Sequence, residues 1–137
     1  MDEYYLFLDS DMSKEYYPEN EPAHFVVELP RPYQLGTGWC VGLKDIKTSV
    51  KEDLLYVCSD VCEESYAENT MLPVLRALQK PTRRGTTSYF SFDNPMYMKI
   101  KPTTLNRIRI FLLNGSLNKP NIKDSKIRCT IHLKKWT

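Results

Sequence analysis

The sequence predicts an all-β protein, a β-sandwich or jelly roll of eight or nine antiparallel strands occupying residues 1–137 as one domain. Three observations predict it. Short apolar runs rich in β-branched and aromatic residues sit between turn-rich segments. The nine prolines are scattered along the chain, and no window of about 12 residues carries a clean helical stripe. A chain of 137 residues is long enough for one apolar core, since about two thirds of its unfolded surface can be buried.

The strand candidates follow in order. They are 4–9 (YYLFLD), 24–29 (HFVVEL), 38–46 (GWCVGLKDI), 53–58 (DLLYVC), 71–79 (MLPVLRALQ), 87–92 (TSYFSF), 96–101 (MYMKIK), 105–113 (LNRIRIFLL) and 126–133 (KIRCTIHL). In 38–46, Gly36 and Gly38 turn the chain into the strand. Trp39, Val41 and Leu43 form one face, and Cys40, Gly42, Lys44 and Ile46 the other. Gly42 leaves room for close packing. Pro73 within 71–79 argues for an edge or a bulge. In 105–113, Leu105, Arg107, Arg109, Phe111 and Leu113 point one way, and Asn106, Ile108, Ile110 and Leu112 point coreward. In the last strand Ile127, Cys129, Ile131 and Leu133 face inward, with Lys126, Arg128, Thr130 and His132 on a basic outer face. The breaks have turn chemistry: "RRGTT" (83–87), Asn94 before Pro95, and "LNGSLNKPN" (113–121), where Gly115 can take positive φ. The acidic "SDMSKEYYPENEP" (10–22) reads as a long surface loop.

The net charge of +2 conceals an asymmetry. Residues 1–68 hold 15 Asp and Glu against 5 Lys and Arg, a net of −10. Residues 69–137 hold 2 against 14, a net of +12. Such halves either supply complementary faces to neighbouring copies or interleave, with charges pairing across strands. No apolar run approaches the roughly 18 residues of a membrane span, and the acidic opening "MDEYYLFLDSD" is unlike a secretory leader. Synthesis in the cytoplasm or nucleus is expected, with Cys40, Cys58, Cys62 and Cys129 as buried thiols. Paired C-x2-C knuckles are missing, so no metal is expected.

Groups that would converge on catalysis are few. His24 leads a strand and His132 sits on a polar face; both read as surface or satisfied residues. Cys40, in mid-strand among apolar neighbours, reads as a small hydrophobe with an inert thiol. Nucleophile-elbow, phosphate-loop and zinc-protease motifs do not occur. Asp9, Asp11, Glu15, Glu19 and Glu21 lack the spacing of a calcium loop. No enzyme and no cofactor are therefore expected. Interaction surfaces are the better candidates. Tyr16 and Tyr17 offer rigid contact area, or fold back over the sandwich end. Arg83 and Arg84 join them as interface candidates, and Lys123, Lys126, Arg128, Lys134 and Lys135, together with Arg107 and Arg109, supply charge for an acidic partner or for non-specific contact with nucleic acid.

The order of motifs adds a resemblance. Leu8 with Ser10 lies in the opening; Asn20, Phe25, Leu29 and Pro30 follow in an extended segment. Trp39, Val41 and Leu43 form a W-x-V-x-L strand, and Thr130, Ile131, His132 and Leu133 close the chain. This layout resembles the small single jelly-roll minor capsid (penton) proteins of Polinton/Maverick-like and adintovirus-like double-stranded DNA viruses. It covers both chain ends and the 105–115 segment, while 50–90 matches by length and strand content. The resemblance implies a structural virion protein, a homo-oligomer forming a pentameric ring at capsid vertices beside a major capsid protein, without membrane contact. The alternative is a non-enzymatic β-sandwich that binds carbohydrate or peptide, favoured if Trp and Tyr side chains cluster in one groove. A non-specific nucleic-acid binder is a third, weaker reading.

Overall fold

The structure is a computed structural model in which residues 3–48, 53–79, 88–120, 122 and 126–136 are described. The strands are β1 (Glu3–Asp9), β2 (His24–Gln34), β3 (Trp39–Thr48), β4 (Leu54–Ser59), β5 (Ser65–Ala67), β6 (Thr70–Leu72), β7 (Val74–Gln79), β8 (Ser88–Ser91), β9 (Tyr97–Lys99), β10 (Thr104–Asn114) and β11 (Arg128–Lys135). One sheet has the order β1-β11-β3-β8, with β9 also on β3. The other has the order β2-β10-β4-β7, and every pairing is antiparallel. β1 to β4 alternate between two facing sheets, β4 and β7 share one sheet and β8 and β9 the other, and the late strands β10 and β11 insert between early ones, as two nested Greek keys require. The protein is an all-β jelly roll.

The described residues form eleven strands where the sequence predicts eight or nine, for two local reasons. Residues 71–79 split at Pro73, which cannot donate to a ladder, into β6 and the edge strand β7. The Pro73 carbonyl instead accepts the Ser59 amide at 3.0 Å, beside the register shift between Val57 and Cys58. β5 and β6 form a hairpin of their own whose turn places Glu68 (φ 48°) and Asn69 (φ 63°) both in the left-handed region. The usual Asn-Gly or Asp-Gly signal is absent, so the sequence conceals this turn. In 113–121 the left-handed residue is Leu117 (φ 60°), not Gly115, whereas Gly36 (φ 73°) and Gly38 (φ 84°) turn the chain into β3 as expected.

Bulges correct two face assignments. On β3, Leu43 pairs with Ile131 and Asp45 with Thr130, leaving Lys44 as the extra residue. Parity slips there, so Ile46 returns to the core beside Trp39, Val41 and Leu43 and leaves the face of Cys40 and Gly42. On the β2–β10 ladder the register slips across Leu29–Pro32, where two prolines interrupt donation, and Leu105 joins Ile108, Ile110 and Leu112 inside. Phe25, Val27, Ile127, Cys129 and Leu133 complete the middle of the core.

The acidic and basic halves do not separate, because both sheets draw strands from each. Opposite charges instead meet across strands, in the register pairs Glu3–Lys134, Asp9–Arg128 and Glu28–Arg107. Gly42 fits the close approach expected of it: a Cβ there would lie 3.0 Å from Pro95 Cβ and from the Tyr97 ring. Gly42→Val is expected to cost about 1–3 kcal/mol by overpacking. Gly115→Ala, where a Cβ meets only ordinary contacts at 3.7 Å or more, should stay within about 0.5 kcal/mol of the parent in urea unfolding.

Candidate interface surfaces

On the β2–β10 sheet the site begins with an exposed strand edge. β2 is an edge strand, and such edges leave amides and carbonyls unpaired. The 10–22 loop covers it with side chains in place of a further strand. The Asn20 side-chain amide donates to the Val26 carbonyl at 2.8 Å, and the Val26 amide donates back to Asn20 Oδ1 at 3.0 Å. The Glu28 amide donates to Ser13 Oγ at 2.9 Å, which explains why Ser13 is buried in a polar loop.

That strap brings Tyr16 and Tyr17 to Arg107 and Arg109. Tyr17 Oη donates to the Glu28 carboxylate and accepts from Arg107 Nη1 at 3.5 Å. Arg109 Nη1 donates to His24 Nε2 at 3.0 Å, and Glu21 engages Lys119 at 2.6 Å. Burial, and then the Arg109 charge, holds the His24 pKa below its ordinary value, so the neutral ring is the acceptor that Arg109 needs. Tyr16 is 66% exposed. Tyr16, Tyr17, Glu21, His24, Arg109 and Lys119 border a groove of about 770 Å³, and Arg107 stands beside it through Tyr17. Tyr17 has folded back onto the sheet; Tyr16 remains free.

The opposite sheet carries a different surface. Along edge strand β1 the outward residues are Glu3, Tyr5, Phe7 and Asp9, and Phe7 is 71% exposed. Beside them His132 is nearly buried, which corrects its placement on an open polar face. The Tyr5 ring stacks on it at 4.4 Å, and Tyr97 Oη lies 2.7 Å from Nδ1. Glu3 Oε1 stands 3.6 Å from Nε2. Burial outweighs Glu3 and lowers the His132 pKa, and burial raises that of Tyr97. Imidazole and phenol are therefore both held neutral, and this carboxylate–imidazole–phenol row is joined by the Tyr97–His132 hydrogen bond. It is a packing clamp. Lys134 lies here too, its Nζ 3.9 Å above the Tyr97 ring.

The clamp makes a pH prediction. His24 and His132 are the protein's two histidines, and both resist protonation in the folded state. Below about 6.5 the unfolded chain binds more protons than the folded one, so stability falls as pH drops through that window. Urea unfolding between about pH 7 and 5.5 should show this slope, and His132→Gln should flatten it whatever its effect on absolute stability.

A third feature lies at the sandwich end near Gly36 and Gly38. Trp39, Trp136, Lys99, Lys101 and Glu63 line a recess of about 330 Å³. The cysteines add no reactive centre. All four are free and buried, and burial pushes Cys58 and Cys129 up to about 12 and Cys62 up to about 11. Cys40, also raised by burial, donates its thiol proton to the Lys134 carbonyl at 3.4 Å. Among the described residues no three His, Cys, Asp or Glu side chains gather as metal ligands.

Of the residues singled out from sequence, Tyr16, Tyr17, Arg107 and Arg109 converge. Lys134 sits on the other sheet, Lys135 is exposed at the recess end opposite Trp39, and Arg83 and Arg84 lie outside the described residues. Sequence reasoning missed Tyr5, Phe7, Tyr97 and Trp136. The alternation Leu6 and Leu8 in, Tyr5 and Phe7 out was the available signal, hidden because both faces of β1 are apolar. Compared with protein-family models and with curated protein sequences, the chain matches none.

Proposed function

We propose that this jelly roll is a structural virion subunit, a minor capsid protein of the penton type that assembles with copies of itself and stands beside a major capsid protein. One observation carries the reading: two chemically different contact surfaces lie on opposite sheets. One is a tyrosine–arginine groove on β2 and β10; the other is an aromatic strip flanked by Glu3 and Asp9 on β1. A ring closes only through heterologous contacts, one surface of a subunit against a different surface of its neighbour. Exposed Phe7, Tyr5 and Tyr16 are the aromatic anchors such contacts use. The β1 strip and the arginines of β10 have complementary charge. Its work is done by surfaces, without catalysis. The test is the mass of the purified protein in solution, for which a closed oligomer is expected. A non-enzymatic ligand-binding sandwich is the second reading, favoured by the position of both tryptophans of the chain at one recess.

A further inference from the structure

We propose that the recess at the Gly36–Cys40 end binds an acidic saccharide: a pyranose ring stacked on Trp136, with its carboxylate or sulfate taken by Lys99 and Lys101. The assignment builds on the ligand-binding reading of this recess and is independent of vertex assembly. Its walls are set before any ligand arrives. The Gly36 amide donates to Thr103 at 3.0 Å, Ile100 to Trp39 at 3.0 Å, Glu63 to Lys99 at 2.9 Å, and Trp136 to Gly38 at 2.6 Å, all backbone to backbone. Trp39 is the fixed floor: it is 8% exposed and stacks on Tyr4 with ring centroids 5.5 Å apart. Trp136 is 64% exposed, held by its backbone but uncovered, the state in which an indole face can take the apolar face of a sugar. Gly36 and Gly38 have nothing within 4 Å of where a Cβ would stand, so the mouth stays open beside them.

The charge selects the ligand class. Lys99 and Lys101 are exposed and form no ion pair among the described residues, so their ammonium groups are available for an anion. Glu63 offers a carboxylate that accepts from sugar hydroxyls and disfavours ligands that are anionic all over. A flat ring with one anionic group and several hydroxyls satisfies all three elements; a polyanionic peptide satisfies only the lysines.

Both tryptophans line the recess, so intrinsic fluorescence and calorimetry read its occupancy directly. Four probes are compared on the full chain: a uronic-acid oligosaccharide, a sulfated one, a neutral one of equal length, and an oligoglutamate peptide. At least one acidic saccharide should bind saturably, about tenfold or more tighter than the neutral one, as the loss of a charged hydrogen bond implies. Trp136→Ala should abolish calorimetric binding. Lys99→Gln with Lys101→Gln should weaken it about tenfold or more, while Lys14→Gln with Lys47→Gln, exposed and outside the recess, should leave it unchanged. Equal binding of the neutral saccharide would overturn the acidic class and leave a ligand recess standing. Equal or tighter binding of oligoglutamate would overturn the sugar. Binding that weakens as much with the Lys14 and Lys47 pair as with the Lys99 and Lys101 pair would reduce the effect to net charge. No response to any of the four, with the fold intact by circular dichroism, would sink both the inference and the ligand-binding reading.

Discussion

Trp39→Ala is expected to lower the unfolding free energy by about 3–5 kcal/mol, a large part of the stability of a domain this size. Its side chain belongs to the buried core, at 8% exposure. It stacks on Tyr4, which in turn meets Tyr33 edge-on at 4.9 Å. Truncation removes the transfer energy of the indole and leaves a cavity against Tyr4 in the packed core. The adjacent Cys40→Ser is the control. Its side chain is buried yet stands outside the main core. A serine hydroxyl can donate to the same Lys134 carbonyl, so a loss of about 1 kcal/mol is expected. Urea unfolding of the two variants checks both. Comparable losses would mean that the two faces of β3 are assigned wrongly.

The second large effect concerns assembly. Phe7→Asp places a charge in the middle of the β1 strip, and Arg109→Glu reverses the groove on β10. Both positions are exposed, so the fold should survive and near-native circular dichroism is expected. Each variant alone should lose its oligomer, because every subunit then lacks one of the two surfaces that a ring must join. Mixed together, the two variants still hold one intact surface of each kind. Equimolar mixing should therefore yield a capped heterodimer and nothing larger, measurable by light scattering or native mass spectrometry. An isologous contact, in which the same patch meets itself, would instead leave one variant fully assembled.

The strands were legible because their side-chain period is two and their interiors are β-branched. Residues 105–113 show it most clearly, with Ile108, Ile110 and Leu112 buried as the alternation requires, whereas in 126–133 Thr130 and His132 are buried along with Cys129, Ile131 and Leu133. What was hidden has particular causes. The bulge at Lys44 shifts parity by one residue, and no local residue type announces it, so Ile46 reads as outward from sequence and is inward in the fold. The β5–β6 turn uses Glu68 and Asn69 in conformations that sequence rules reserve chiefly for glycine. The clamp joins His132 of β11 to Glu3 and Tyr5 of β1 and to Tyr97 of β9, three segments distant in sequence. Only the nesting of β11 between β1 and β3 brings them together. The groove is partly visible in the sequence, since Tyr16 and Tyr17 read as contact area and Arg107 and Arg109 as charge for a partner. Their convergence depends on the Asn20 and Ser13 bonds to β2, which no spacing rule predicts.

The measurement that bears most directly on the central claim is the mass of the unmodified protein in solution at about 0.1 M and about 1 M salt, at several protein concentrations. Aromatic anchors supported by arginine–carboxylate contacts predict a closed oligomer at the lower salt and a shift toward smaller species at the higher, where the Debye length falls to about 3 Å. A strict monomer at both, even at the highest concentration, would contradict the self-assembling reading.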